Sequence, residues 1–239
     1  MSMNADTRLS EMTDLVREDE TKRNTNKSNR QNSWIYCHQA FSAAFDKSDQ
    51  SAEACDFLAL HLAFYLASWG MLRGSSPLFQ CDYKVHLETV KILLEPQYRP
   101  LRDISAEALC RKENLDLLMK LKNALVKYYK GALSSHAKGK SKYSPSDTLL
   151  TKILLGTFAC VPAYDQYFVE ALDKLGLRPK QFSRASIKAI AEFCQANTSV
   201  LAQWRNACAE HYPDMKLLDL AFWLYGEQLM HKKQKTCVQ

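Results

Sequence analysis

The chain has 239 residues, 46% of them apolar, and its 32 Lys and Arg against 26 Asp and Glu leave a net charge of +6. The apolar content excludes a wholly disordered chain, and seven glycines with seven prolines are too few for the turns of a β-sandwich or barrel. Eight widely spaced cysteines without a Cys-x-x-Cys pair exclude a clustered zinc or iron–sulfur motif and predict reduced thiols in the cytoplasm. The mild basic excess is compatible with an anionic partner, and it is also common in proteins that bind none.

Residues 1–33 are predicted to be a disordered polar tail, because they contain no aromatic residue and end in the polar run TKRNTNKSNRQNS. Within them, Leu9, Met12 and Val16 have helical spacing, which allows a short helix on a partner or on the domain surface. The segment has no apolar signal core, and the most hydrophobic run, residues 57–67, is about half as long as a membrane span needs. We therefore predict no membrane association.

A single all-α domain is predicted from residue 34 to residue 239. Apolar and aromatic residues at a 3.6-residue period predict its first helix, from Trp34 to Phe45. The helix after Ser51 is apolar on every side, so we expect other helices to surround it. Residues 69–76 form the loop that follows, and its two glycines permit a positive φ or the close approach of a ligand.

Periodicity predicts seven further helices, at about residues 83–94, 105–129, 147–158, 162–175, 183–196, 198–210 and 214–230. Between the second and third of them, residues 131–145 are polar and form a basic connector between two halves of the domain, with Lys138, Lys140 and Lys142. A plain solvated loop is the alternative interpretation of this connector. The predicted architecture is an irregular orthogonal bundle of about nine helices.

Most common catalytic motifs are absent from the sequence. There is no Gly-x-x-x-x-Gly-Lys phosphate loop, no Gly-x-Ser-x-Gly elbow, no His-Glu-x-x-His and no Gly-x-Gly-x-x-Gly. These absences exclude most nucleotide-binding and hydrolase classes. The six histidines are dispersed without a partner at helical spacing, so we predict no metal site and no organic cofactor.

The most informative segment runs from Ser146 to Gly176, where a Val-Pro turn and Asp165 open a helix. Val161-Pro-Ala-Tyr-Asp165, followed by Tyr167, Phe168, Leu172 and Leu175-Gly176, resembles the helix-opening aspartate segment of the helix-hairpin-helix DNA glycosylases. The resemblance implies a glycosylase-like all-α fold in which Asp165 is the catalytic carboxylate. It would stabilise positive charge on the sugar of a flipped-out nucleotide and position or activate water. Without the resemblance, Asp165 is an aspartate placed in the first helical turn for the helix dipole.

Two features depart from the family pattern. The run Leu154-Leu-Gly-Thr-Phe-Ala has a single glycine, so the glycine-rich hairpin that grips the DNA backbone has no clear counterpart. Lys152 stands closer to Asp165 than the Schiff-base lysine of members that also nick the strand. We therefore interpret Lys152 as a surface or phosphate-contacting lysine and predict a monofunctional enzyme.

A second resemblance covers roughly residues 50–230. Its residues are Tyr65-Leu-Ala-Ser-Trp-Gly-Met-Leu-Arg-Gly-Ser-Ser76, Asp82-Tyr-Lys-Val-His86, Tyr212-Pro-Asp-Met-Lys-Leu-Leu-Asp219 and Phe222-Trp223. They resemble a group of bacterial proteins that overlaps the anti-phage DNA glycosylases, which remove glucosylated hydroxymethylcytosine from phage DNA. The resemblance implies a monomer that acts on double-stranded phage DNA with modified bases.

The resemblance and the residue types together nominate two sets of binding residues. The predicted base pocket consists of aromatic and imidazole side chains that can stack on a base, namely Trp69, Tyr83, His86 and Trp223. The predicted nucleic-acid contacts are cationic or hydroxyl side chains, namely Arg73, Ser75, Ser76, Lys84, Lys138, Lys140, Lys142 and Lys152. Core packing of the aromatics and plain solvation of the charges are the alternatives.

Three hypotheses about function remain open. The glycosylase hypothesis predicts that Asp165, the loop at 69–86 and the lysines at 138–142 line one basic cleft. A non-catalytic helical adaptor or regulator would instead show an exposed apolar groove and no pocket. A nucleic-acid binder without chemistry would show steep salt dependence and no base release.

Overall fold

The structure is a computed structural model that describes residues 5–26, 28–74, 76–136 and 143–236. In these ranges it contains helices and no strand, which confirms the all-α prediction. The eleven α-helices of the described residues are α1 (Ala5–Thr25), α2 (Asn32–Lys47), α3 (Ala52–Ser68), α4 (Leu87–Leu93), α5 (Ala106–Leu109), α6 (Lys112–Ala132), α7 (Asp147–Thr157), α8 (Gln166–Lys174), α9 (Arg184–Ala196), α10 (Thr198–Ala207) and α11 (Asp214–Thr236). Short 3₁₀ segments lie at Pro77–Gln80, Tyr83–His86, Pro96–Leu101 and Ser134–His136.

Serine side chains cap several of these helices at their first residues. Ser51, Ser146 and Ser183 each accept a hydrogen bond, at 3.2 Å, from the backbone N–H three residues later. A capping hydroxyl satisfies one of the four N–H groups that have no partner inside the helix. The starts of α3, α7 and α9 therefore lie where the sequence predicts them.

Helix α1 replaces most of the predicted disordered tail. Its Met12 and Val16 are fully buried, and the helix packs against α10 and α11. Trp204 Nε1 donates a hydrogen bond of 3.0 Å to the Thr13 hydroxyl. The prediction of disorder is wrong for residues 5–25. The segment is mostly polar, but its apolar stripe is buried against helices that are distant in the chain.

The centre of the bundle is α7 instead of α3. Every described residue of α7 from Leu149 to Thr157 is buried. Helix α3 leaves one apolar face in solvent, with Phe57, Leu60 and Phe64 all more than half exposed. The expectation that helices surround α3 is therefore wrong, because an all-apolar sequence does not identify which face its neighbours cover.

Helices α8 and α11 cross at very close range, and this crossing supports the region described next. A Cβ atom added at Gly226 of α11 would lie 1.9 Å from the backbone oxygen of Tyr167 in α8. Only a residue without a side chain permits this approach. No described helix is both long enough and apolar enough to cross a lipid bilayer.

Candidate active site

A cavity of about 680 Å³ opens between α3, α7, the start of α8 and α11. Its walls include Trp69 and Arg73 from the loop after α3, Lys152 from α7, Asp165, and Trp223 from α11. The volume is typical of small-molecule and cofactor sites. All five of these residues are candidates from the sequence for catalysis, base stacking or DNA contact.

Asp165 lies at the cavity floor as the N-cap of α8. Its Oδ1 accepts hydrogen bonds of 3.1 Å from the N–H groups of Tyr167 and Phe168. Its Oδ2 lies 3.1 Å from Lys152 Nζ. The helix cap thus orients the carboxylate by one oxygen, and the second oxygen remains available to an ion pair at the cavity.

Lys152 is buried, with 4% of the residue exposed. Its interpretation as a surface lysine is wrong, because α7 is the central helix and is buried on every side from Leu149 to Thr157. The ammonium also lies 5.1 Å from the Trp69 ring centre, so it has both a carboxylate and an aromatic face as partners. A desolvated ion pair of this kind has a defined geometry.

Side chains hold the segment that leads into α8. The N–H of Ala163 donates to Asp219 Oδ1 at 2.8 Å, and the N–H of Tyr164 donates to the Thr151 hydroxyl at 2.9 Å. The Thr148 hydroxyl donates to the Tyr164 carbonyl at 2.8 Å. Because α7 and α11 both supply these bonds, the position of the carboxylate is set before any ligand arrives.

Aromatic rings form one wall of the cavity. Trp69 and Trp223 meet edge to face at 5.7 Å, and Tyr167 meets Trp223 in the same manner at 5.2 Å. The Arg30 guanidinium lies 5.1 Å and 5.2 Å from the two tryptophan ring centres. Trp69 Nε1 is buried without a hydrogen-bond partner among the described residues.

Arg30 and Tyr167 are cavity residues that the sequence does not nominate. Arg30 falls in the predicted tail, and no local signal distinguishes it from other arginines there. Tyr167 belongs to the segment that resembles the glycosylases, and the sequence assigns it no role of its own. Its aromatic side chain two residues after Asp165 was the available signal.

The remaining candidates that the structure describes do not line this cavity. The Tyr83 hydroxyl donates to Asp56 Oδ1 at 3.0 Å, and Lys84 is exposed on the same 3₁₀ segment. Ser76 precedes the 3₁₀ segment at Pro77–Gln80. Ser75, Lys138, Lys140 and Lys142 lie outside the described residues.

The structure places His86 in the core and not in the predicted base pocket. Only 1% of the residue is exposed, and its Nδ1 lies 2.6 Å from the Tyr129 hydroxyl oxygen. Burial lowers the pKa of His86 from 6.5 to about 4. The imidazole is therefore a neutral hydrogen-bonded core group.

The free energy of unfolding should fall as the pH falls from about 6.5 to about 4, because the unfolded chain protonates His86 before the folded chain does. The contribution of His86 is about 3 kcal/mol above this window and is lost below it. Urea unfolding at a series of pH values checks this for the wild type, His86→Gln and the exposed control His136→Gln. The stability difference between wild type and His86→Gln should shrink on acidification. A constant difference would contradict the assignment.

Comparison of the chain with protein-family models, with curated proteins and with solved structures yielded no match. The chemistry of the site is therefore argued from its geometry. Within the described residues, no group of three or more His, Cys, Asp or Glu side chains is placed to hold a metal ion. The cavity combines an oriented carboxylate, a buried ammonium and aromatic rings that meet edge to face.

Proposed function

We propose that the chain is a DNA glycosylase that flips a modified base out of double-stranded DNA and hydrolyses its N-glycosidic bond. The observation that carries the proposal is the Asp165 carboxylate, which is held by α8 and Lys152 at the floor of an aromatic-walled cavity. Cleavage of this bond builds positive charge on C1′ of the sugar. A fixed carboxylate in a desolvated cavity stabilises that charge without reorganising.

The aromatic wall is suited to a flipped base. Trp69, Trp223 and Tyr167 offer ring faces and edges to a planar ligand, and stacking contributes about 1 to 3 kcal/mol per base. The space of about 680 Å³ leaves room for a base that carries a substituent. Glucosylated hydroxymethylcytosine, whose sugar offers several hydroxyl groups, is the substrate that we propose, and anti-phage defence is the corresponding role.

The charges at the cavity are compatible with a polyanion. Arg30 and Arg73 are exposed cations that line it, and Glu227 is the acid that accompanies Asp165 there. Guanidinium groups bind phosphate oxygens in a bidentate manner. The glycosylase hypothesis requires Asp165, the loop at 69–86 and the lysines at 138–142 to line one basic cleft. Residues 69–73 line the cavity with Asp165, residues 76–86 do not, and the three lysines lie outside the described residues.

We propose base removal without strand cleavage. Lys152 Nζ contacts Asp165 Oδ2, so the one lysine among the described residues that lines the cavity is engaged in an ion pair. A Schiff-base mechanism needs a free amine that can attack C1′. The proposed product is therefore an abasic site in an intact strand.

A helical adaptor or nucleic-acid-binding regulator without catalysis is the alternative. The exposed apolar face of α3, formed by Phe57, Leu60 and Phe64, favours it, because such a face is typical of docking surfaces. The cavity with Asp165 is the feature that the alternative leaves unexplained. We therefore rank the enzyme first.

The first test incubates the purified protein with phage DNA carrying glucosylated hydroxymethylcytosine. Unmodified DNA and oligonucleotides with uracil or oxidised guanine run in parallel, and alkali-labile sites are counted on a denaturing gel. We expect alkali-labile sites in one modified substrate only. Strand breaks without alkali would contradict the monofunctional assignment, and no sites in any substrate would favour the adaptor.

A further inference from the structure

A second buried ion pair lies directly beneath the cavity. Lys216 and Asp219 are one turn apart on α11, their side chains are each 8% exposed, and Nζ lies 3.1 Å from Oδ2. A chamber of about 10 Å³ is lined by this pair and by Lys152 and Asp165. Two carboxylates and two ammonium groups therefore surround one small space.

Stability alone does not account for the Lys216–Asp219 ion pair. Burial raises the pKa of the Asp219 carboxyl, although Lys216 and the Ala163 N–H act in the opposite direction. The fold thus bears a desolvation cost at Asp219, and a buried ion pair adds little net stability compared with apolar residues of the same size. The Lys216–Asp219 pair therefore indicates a function that apolar side chains at these positions could not perform.

Lys216 is held in place by aromatic rings as well as by Asp219. Its ammonium lies 5.4 Å from the Trp34 ring centre and 6.0 Å from those of Trp69 and Tyr212. The ammonium is therefore confined on several sides. It presents a fixed charge to Asp219 Oδ2.

The other oxygen of Asp219 reaches the backbone that carries the catalytic candidate. Asp219 Oδ1 accepts from the Ala163 N–H at 2.8 Å, and the Ala163 carbonyl accepts from the Asp165 N–H at 2.8 Å. Two hydrogen bonds thus connect α11 to Asp165. The sequence distance of 56 residues between Ala163 and Asp219 makes this a tertiary contact.

We propose that Asp219 is a positioning residue for Asp165. Its Oδ1 fixes the backbone that aims the Asp165 carboxylate into the cavity, and Lys216 holds Asp219 in the orientation that this bond needs. The inference rests on the proposed function, since it assigns Asp219 a part in the same reaction. The hydrogen bond from the Ala163 N–H to Asp219 Oδ1 fixes this backbone whether or not the protein is an enzyme.

Two substitutions separate the hydrogen bond from the charge. Asp219→Ala removes both, and we expect single-turnover base release to slow about 100-fold, the effect of misplacing a catalytic group by about 1 Å. Asp219→Asn keeps an oxygen for the Ala163 N–H, and we expect it to recover activity to within about tenfold of wild type. The Kd for substrate DNA should stay within about twofold in both variants, because Asp219 does not line the outer cavity.

Asp214→Ala is the matched control. Asp214 lies on the same helix, accepts from the Ala106 N–H at 2.9 Å and pairs with Arg205 at 2.7 Å, and it does not line the cavity. It should lower stability without slowing base release. Equal release rates in Asp219→Ala and Asp214→Ala would overturn the proposal, and if Asp219→Ala does not fold, a release rate in folded Asp219→Asn far more than tenfold below wild type would overturn it.

Amide hydrogen exchange tests the hydrogen bond between Asp219 and Ala163 independently of base release. Asp219→Asn keeps an oxygen for the Ala163 N–H and should leave the exchange of the amides of residues 163–165 near the wild-type rate. In Asp219→Ala these amides should exchange at least about tenfold faster than in wild type. Unchanged exchange there would overturn the positioning role. If wild-type protein releases no base but exchange accelerates as expected, the proposed function fails and the contact to Ala163 stands.

Discussion

Asp165→Asn should slow base release at least about 100-fold, because the variant keeps the size of the side chain and loses the charge that stabilises the sugar cation. Asn Oδ1 can still accept from the N–H groups of Tyr167 and Phe168, so α8 keeps its cap. Single-turnover release from the modified substrate measures the effect. Full activity in this variant would remove Asp165 from the mechanism.

Stability must be followed in the same experiment. Lys152 loses its charged partner in Asp165→Asn, and removing one partner of a buried ion pair costs about 3 to 5 kcal/mol. Circular dichroism and urea unfolding report whether the variant is folded under the assay conditions. Asp82→Asn is the control, since Asp82 also caps a helical segment, through the Lys84 N–H at 2.8 Å, and does not line the cavity. It should keep the wild-type rate.

Gly226→Ala should lower the free energy of unfolding by about 3 kcal/mol, at the upper end of the overpacking effects seen in well-packed cores. The added Cβ would lie 1.9 Å from the Tyr167 backbone oxygen, so α8 and α11 must move apart. That movement displaces Tyr167 and Asp165 together, and we expect base release to fall with stability. Urea unfolding and single-turnover release measure the two effects.

Gly131→Ala is the matched control for this substitution. Gly131 lies inside α6, and a Cβ added there meets nothing within 4 Å. Alanine should therefore stabilise the protein by about 0.5 to 1 kcal/mol through its helix propensity. A Gly226→Ala variant as stable as wild type would contradict the close crossing of α8 and α11.

The proposed site differs from the sequence-based hypothesis mainly in its cations. The hypothesis places phosphate-binding lysines at 138–142, which lie outside the described residues, and treats Lys152 as a surface group. The structure buries Lys152 against Asp165 and adds Arg30 over the two tryptophan rings. The cations therefore serve two purposes, since the buried one orients the carboxylate and the exposed ones face the entrance.

Local sequence determined the helical class and the starts of helices. The helical class follows from the low glycine and proline content and the 3.6-residue periodicity, and the helix starts follow from the capping residues Ser51, Ser146 and Ser183. Each of these signals involves residues that are close together in the chain. For the same reason, the sequence identified Asp165 at the start of a helix. Trp69 and Trp223 could be nominated from their residue type together with the resemblance.

Tertiary structure alone decided which of these residues meet. The burial of α1, the stacking of Arg30 on two tryptophans and the contact from Asp219 to Ala163 join residues far apart in the chain. Periodicity shows that a helix has an apolar face, but it does not show which helix covers that face or where its polar groups are paired. Those choices depend on the packing of the whole chain, because desolvation and ion pairing are settled between elements and not within them.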